Sequence, residues 1–136
     1  MSFELSFEKL IEYDIGKPGI SVTVELSLRG SASIFEAKID TGSTYCVFER
    51  GHGERLGLDI EKGERQTIGT TVGSFIAFGH WVTLRVENFT FDLMVFFAQN
   101  ESHRRNVLGR NGWLDRVVIG INDYDGKLYL SRYESE

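Results

Sequence analysis

Apolar and polar residues alternate along several segments of the chain, and this period of two is typical of β-strands that bury one face. Ser21–Leu28 reads SVTVELSL, and residues 34–39 continue the pattern. Residues 81–86 and 89–97 are rich in β-branched and aromatic side chains, which strands favour. We predict four strands here, with Trp81 and the aromatic residues of 89–97 in the core.

A hairpin is predicted near the end of the chain, where residues 117–121 and 128–130 flank a run of turn residues. The run, Asn122-Asp123-Tyr124-Asp125-Gly126, ends in Asp-Gly, which readily adopts the positive φ of tight hairpins. A calcium loop would need a bidentate glutamate further on, and the chain lacks it, so a plain hairpin is favoured. Helical segments are few and short, near residues 54–58 and 111–115, so the whole pattern predicts an all-β fold.

Composition narrows the class of protein and of partner. The chain has 136 residues, 41% of them hydrophobic, so one folded domain with a substantial core is expected. The formal net charge is −5 and the densest cationic patch is only Arg104-Arg105, so nucleic acid and anionic membranes are poor partners. Acidic residues interrupt the N-terminal segment where a secretory signal needs an apolar run, so the expected localisation is cytoplasmic.

The cysteine and histidine residues do not predict a disulfide or a metal site. The one cysteine, Cys46, excludes an internal disulfide framework and is expected to be a small buried hydrophobic residue. His52, His80 and His103 lack metal-ligand spacing, so we expect no metal and no other cofactor.

The sequence FEAKIDTGS drives a strand into Asp40, where a carboxylate is costly unless it is paired or hydrogen-bonded. Thr41 and Gly42 allow a tight turn whose backbone N–H groups face that carboxylate, and the Ser43 hydroxyl lies within reach of the same oxygens. A turn in which the aspartate only caps backbone amides is the ordinary role of such a residue. The triplet alone therefore does not decide between a structural and a catalytic aspartate.

Two further motifs favour the catalytic interpretation. Residues 66–79 read QTIGTTVGSFIAFG, a β-rich segment whose glycines predict a mobile hairpin. Residues 106–111 read NVLGRN, two apolar residues and a glycine before a short helical segment. In this order, Asp-Thr-Gly-Ser, glycine-rich hairpin and hydrophobic-hydrophobic-Gly, residues 34–130 resemble the retropepsin-like aspartic proteases.

This resemblance implies a closed β-barrel, the acid-protease lobe, with a flap hairpin and one or two short helices. One domain would span residues 1–136, with residues 1–18 as an N-terminal extension outside the clear resemblance. The implied activity is that of an aspartic peptidase with Asp40, Thr41 and Gly42 as the catalytic turn. The implied substrate-binding residues, for an extended peptide or protein substrate, are Ser43 and the flap tip, Val72, Gly73, Ser74 and Phe75.

The chemistry of these enzymes needs two carboxylates, one ionised and one protonated, a few ångströms apart. The chain offers a single Asp-Thr-Gly, so the second carboxylate has to come from a second copy at a twofold axis. The resemblance therefore implies a homodimer in which the hydroxyl of Thr41 holds the opposing turn. We also predict that Ser43 donates to the outer oxygens of Asp40 and lowers the pH optimum, which would rise in Ser43→Ala.

Two points stay open at this stage. Viral members of the family pair the arginine of the Gly-Arg-Asn box with an acid shortly after the catalytic triplet, but here residues 43–46 contain no carboxylate. Arg110 therefore needs another partner, for which Glu49 is a candidate. The alternative function is a catalytically silent retropepsin-like module that serves in dimerisation or peptide binding.

Overall fold

A computed structural model of the chain describes residues 1–133, and in this part of the chain the architecture is all-β. The strands are β1 (Lys9–Glu12), β2 (Ser21–Leu28), β3 (Ser31–Ile39), β4 (Val47–Phe48), β5 (Glu64–Thr70), β6 (Gly73–Val86), β7 (Phe89–Ala98), β8 (Val107–Leu108), β9 (Val117–Asn122) and β10 (Lys127–Arg132). One α-helix, α1 (Arg50–Arg55), and two 3-10 helices, Ile60–Lys62 and Leu114–Arg116, complete the described elements. None of the helices in residues 1–133 is long and apolar enough to cross a membrane.

Seven strands form one sheet in the order β2-β3-β8-β4-β7-β6-β5. Its first strand also pairs with β6, with Leu26 opposite Leu84, and this additional pairing closes the sheet into a barrel. Between Phe75 and the turn, β6 pairs only with β5, so the end of the β5–β6 hairpin projects from the barrel. The predicted closed barrel with a flap hairpin is confirmed.

The barrel core is formed by alternate residues of the long strands. Along β6, Val82 and Leu84 are 3% and 0% exposed. Trp81, between positions that face inward, is 62% exposed, so its predicted place in the core is wrong. The physical reason is the period of two itself, because neighbouring residues of a strand point to opposite faces. The buried tryptophan is Trp113, after the Gly-Arg-Asn box.

The predicted helix near residues 54–58 begins four residues earlier and ends three residues earlier, at Arg50–Arg55. The sequence RGHGER is poor in helix formers, so tertiary packing and not helix propensity determines where the helix forms. A Cβ atom on Gly53 would lie 2.6 Å from Ile60 Cδ1 and 2.9 Å from Phe97 Cγ, so the glycine lets α1 approach the barrel closely. Gly57, with φ of +81°, follows the end of the helix.

The second, three-stranded sheet has the order β1-β10-β9 and contains the predicted C-terminal hairpin. Gly126 has φ of +65° in its turn, as Asp-Gly predicts. The N-terminal strand β1 pairs antiparallel with β10, Lys9 opposite Leu130. The Tyr13 hydroxyl donates to Asp123 Oδ1 at 2.6 Å, and this bond ties the N-terminal extension to the hairpin turn.

Candidate active site

Asp40 directly follows β3, and its backbone is fixed by a strand that is distant in the sequence. Strand β3 pairs parallel with β8, with Ile39 opposite Leu108. The Asp40 N–H donates to the Leu108 carbonyl at 3.0 Å. The pairing thus ends where the Asp-Thr-Gly turn begins, which places the aspartate directly after the carboxyl end of β3.

The turn holds the Asp40 carboxylate as its sequence predicts. The Gly42 N–H donates to Asp40 Oδ1 at 2.9 Å, and the Ser43 N–H donates to the Asp40 carbonyl at 3.1 Å. The Asp40 side chain is 35% exposed, so the carboxylate keeps access to the solvent. Its second oxygen, Oδ2, faces the Arg105 guanidinium, with Nη2 at 3.8 Å.

The Gly-Arg-Asn box crosses the segment that follows the turn. The Arg110 N–H donates to the Ser43 carbonyl at 2.9 Å, and the Asn111 N–H donates to the Thr44 carbonyl at 2.8 Å. A Cβ atom on Gly109 would lie 2.1 Å from the Tyr45 carbonyl oxygen, so only glycine fits where the two backbones cross. The two motifs that the sequence analysis linked by order are therefore joined directly.

Cys46 lies under this crossing as a buried hydrophobic residue, as predicted. Its side chain is inaccessible to solvent, and the Gly109 N–H lies 3.4 Å from Sγ. Burial raises the pKa of the Cys46 thiol to about 12, so the thiol stays protonated and unreactive at neutral pH.

The predicted role of the Ser43 hydroxyl is wrong in this structure. Ser43 Oγ donates to the Tyr45 carbonyl at 2.7 Å and not to the carboxylate of Asp40. Two acceptors were within reach of the hydroxyl, and the bond to the backbone two residues on closes a local turn. The expected rise of the pH optimum in Ser43→Ala therefore has no basis in the geometry.

The expected pairing of Arg110 with Glu49 is not present. No carboxylate of residues 1–133 forms an ion pair with Arg110, whose backbone N–H bonds the Ser43 carbonyl after the Asp40 turn instead. Glu49 lies beside His52, with Oε1 at 3.6 Å from Nε2. The cation next to the candidate catalytic carboxylate is Arg105, which the sequence analysis noted only as part of a cationic pair.

A cleft of about 340 Å³ lies between the Asp40 turn and the flap hairpin. Both walls of the cleft are largely apolar or uncharged, and its charged groups lie near Asp40. The residues that line the cleft are Asp40, Gly42, Ser43, Val47, Ile68, Gly69, Thr70, Thr71, Phe75, His103, Arg105 and Val107.

The flap tip is shorter than predicted. The turn consists of Thr71 and Val72, because Thr70 pairs with Gly73 across it. Val72 is 95% exposed at the tip, and Gly73 has φ of +142°. Ser74 and Phe75, which were predicted at the tip, belong to the strand β6.

Of the predicted substrate-binding residues, the structure brings only Ser43 and Phe75 into the lining of the cleft. Val72, Gly73 and Ser74 lie outside that lining. Thr41, which was predicted to be catalytic, also lies outside it and is exposed beside Asp40.

The three histidines occupy separate places. His52 is buried with its ring stacked on Phe35, and its Nδ1 lies 2.9 Å from Ser33 Oγ. His80 Nε2 bonds the Ile60 carbonyl at 2.9 Å, while His103 lies on the cleft wall. Burial and then the charge of Arg55 lower the pKa of His52. Within residues 1–133, no three His, Cys, Asp or Glu side chains are grouped to hold a metal ion.

Comparisons with known proteins agree with this fold. A family model described as Aspartyl protease matches residues 24–112, a span that contains both Asp40 and Gly109. The chain therefore belongs to the aspartyl protease family, and its fold is retropepsin-like.

A solved structure with the same fold is the EIAV protease in complex with the inhibitor HBY-793. It is 20% identical to this chain, with a TM-score of 0.56, over 74% of this chain and 89% of the viral chain. No match is found among the curated proteins.

Proposed function

We propose that the protein is a homodimeric aspartic endopeptidase in which the Asp40 carboxylates of two chains activate the water that attacks a peptide bond. The observation that carries this proposal is the lining of the cleft. Among the described residues of the lining, Asp40 is the one carboxylate, and it accepts a hydrogen bond from the Gly42 N–H in a cleft of mixed polar and apolar lining.

A single carboxylate cannot serve as both the base and the acid of the hydrolysis. In the proposed dimer, one ionised carboxylate takes a proton from the water, whose oxygen attacks the carbonyl carbon. The other carboxylate, protonated, donates to the carbonyl oxygen. Two carboxylates at such a separation do not both ionise freely, so the two apparent pKa values belong to the pair. The proposed arrangement thus supplies both protonation states from one residue type.

The flap hairpin supports an extended peptide as the substrate. Strand β5 is the last strand in the sheet order and pairs only with β6, so its other edge has free backbone groups. Residues Ile68, Gly69 and Thr70 of this strand line the cleft. A peptide that lies along the cleft would form main-chain hydrogen bonds with that edge, as in β-augmentation.

Dimerisation would place exposed residues of the turn against their copies. Thr41 is exposed directly beside Asp40, and its hydroxyl makes no hydrogen bond within residues 1–133. We propose that it bonds the opposing turn beneath the two carboxylates. Val72, at the exposed tip of the flap, would lie over the bound peptide.

A peptide-library digestion with wild type and Asp40→Asn, at acidic and neutral pH, tests the activity. Cleavage by the wild type alone supports the peptidase, whereas a lack of cleavage by either protein favours the catalytically silent module. Equal cleavage by both proteins would show a contaminant or another site.

A mixing experiment tests whether two copies share the site. If one Asp40 from each chain is needed, an equilibrated equimolar mixture of wild type and Asp40→Asn contains about a quarter wild-type pairs. Its activity then falls to about a quarter of that of the same total concentration of wild type. Activity of about half would indicate that each chain acts alone. Sedimentation of both proteins checks that the variant still pairs.

A further inference from the structure

Arg105 is an unusual neighbour for the candidate catalytic carboxylate. Its guanidinium Nη2 lies 3.8 Å from Asp40 Oδ2, and the pair forms no hydrogen bond. The Arg105 side chain is 62% exposed. Such a loose and solvated ion pair contributes little, about 0–1 kcal/mol, so it does not hold the guanidinium against a better partner.

The backbone on both sides of Arg105 is fixed even though its side chain is exposed and only loosely paired. The Lys38 N–H donates to the Asn106 carbonyl at 2.9 Å, and the Glu49 N–H donates to Asn106 Oδ1 at 2.9 Å. On the other side, the ring of His103 packs on Phe75 at 4.3 Å. The guanidinium is therefore presented into the cleft from an anchored segment.

The other acidic groups near this segment face other partners. Glu36 lines a separate pocket that Arg105 also borders, is not part of the cleft lining, and accepts a hydrogen bond from the Thr23 hydroxyl. Glu49 lies beside His52. Within the described lining of the cleft, only Asp40 can then offer a carboxylate to Arg105, and the proposed reaction uses that carboxylate for the water.

We propose that Arg105 recognises an acidic side chain of the substrate, at a residue next to the scissile bond, and so makes the cleft selective for acidic peptides. This inference rests on the proposed peptidase function and names its substrate class. A peptide carbonyl placed at Asp40 brings the side chains of the two flanking residues close to the guanidinium. Arginine binds a carboxylate in a bidentate, charge-assisted manner, which is stronger than its loose contact with Asp40.

The test uses three pools of fluorescent octapeptides that differ only in one central residue, which is Glu, Gln or Lys. Cleavage is measured at pH 6, where glutamate is ionised, with wild type, Arg105→Gln and Arg105→Glu. Arg104→Gln is the matched control, because it removes the same charge from an exposed neighbour that does not line the cleft. Circular dichroism checks that each variant is folded, as the exposure of both side chains predicts.

We expect the wild type and Arg104→Gln to cleave the Glu pool about tenfold faster than the Gln pool, the gain of one charge-assisted hydrogen bond. In Arg105→Gln the ratio falls to near one, and in Arg105→Glu the Lys pool becomes preferred. A Glu preference that persists in Arg105→Gln, or cleavage of all pools at one rate by the wild type, overturns the inference and leaves the peptidase intact.

A binding measurement separates failure of the inference from failure of the peptidase. Fluorescence anisotropy of the same pools is measured with Asp40→Asn, with and without Arg105→Gln. Tighter binding of the Glu pool that depends on Arg105, without cleavage by the wild type, supports acidic recognition and rejects the peptidase. Neither binding nor cleavage of any pool rejects both.

Discussion

Gly109→Ala perturbs the point at which the Gly-Arg-Asn box crosses the loop after Asp40. The added Cβ would lie 2.1 Å from the Tyr45 carbonyl oxygen, 2.6 Å from its carbon and 2.7 Å from the Ser43 carbonyl oxygen. All three atoms are backbone, so no side chain can move to make room. The two segments must separate by roughly an ångström to restore ordinary contact distances.

That separation breaks the hydrogen bonds on each side of the crossing. The Arg110 N–H to Ser43 carbonyl bond and the Asn111 N–H to Thr44 carbonyl bond are 2.9 and 2.8 Å long. A backbone group left without a partner costs about 1–3 kcal/mol, so we expect Gly109→Ala to lower the free energy of unfolding by about 3 kcal/mol. With a urea m-value of about 2 kcal/mol/M, the midpoint falls by about 1.5 M.

The assay is urea unfolding followed by tryptophan fluorescence, with Gly51→Ala as the matched control. A Cβ atom on Gly51 would meet nothing within 4 Å, and the residue lies in α1. The free energy of unfolding of Gly51→Ala should therefore stay the same or rise by up to about 1 kcal/mol. An unchanged midpoint in Gly109→Ala would refute the close approach of the two backbones. Peptidase activity should fall in Gly109→Ala, because the same crossing holds the Asp40 turn.

Two further predictions concern buried titratable groups. Burial, and then the charge of Arg55, lower the pKa of His52 in the folded protein. The unfolded chain therefore binds a proton more readily than the folded one. The protein keeps its full stability above the ordinary histidine pKa of about 6.5 and loses stability as the pH falls below that value towards the folded pKa. Urea midpoints from pH 7.5 to 5 should decrease in the wild type and less steeply in His52→Gln. His103, whose pKa is also lowered, adds the same slope to both proteins, so parallel profiles would contradict this reason. Cys46 should resist thiol reagents at pH 8 in the folded protein and react at once in urea, since burial raises its pKa to about 12; rapid labelling of the native protein would show that the barrel opens there.

Several strands and the hydrogen-bonded Asp-Thr-Gly turn follow from local sequence signals, whereas the closed barrel was expected from the family resemblance. Strand β2 has the predicted bounds Ser21–Leu28, because its alternation is strict and its pairing with β3 needs one buried face. The close approach at Gly109 explains why the box has glycine after two apolar residues. These features are carried by the residues themselves, so the sequence predicts them.

The features that sequence analysis missed depend on tertiary contacts or on a choice between local partners. The Ser43 hydroxyl had two acceptors within reach, and backbone angles, which the sequence does not state, decide for the Tyr45 carbonyl. Arg105 meets Asp40 only because β8 pairs with β3, a contact between distant segments. The exposure of Trp81 was within reach of the pattern, since Val82 and Leu84 already occupy the inward positions of β6.

The crossing at Gly109 also decides when the Asp-Thr-Gly turn can be fixed as the chain is made. Cys46 and Gly109, which meet beneath the turn, are 63 residues apart in the chain. A nascent chain that ends before β8 carries Asp-Thr-Gly but lacks the backbone that holds it, so the aspartate stays on an unfixed loop. A polypeptide that stops short of β8 therefore cannot fix the Asp40 carboxylate in the position that the proposed hydrolysis needs.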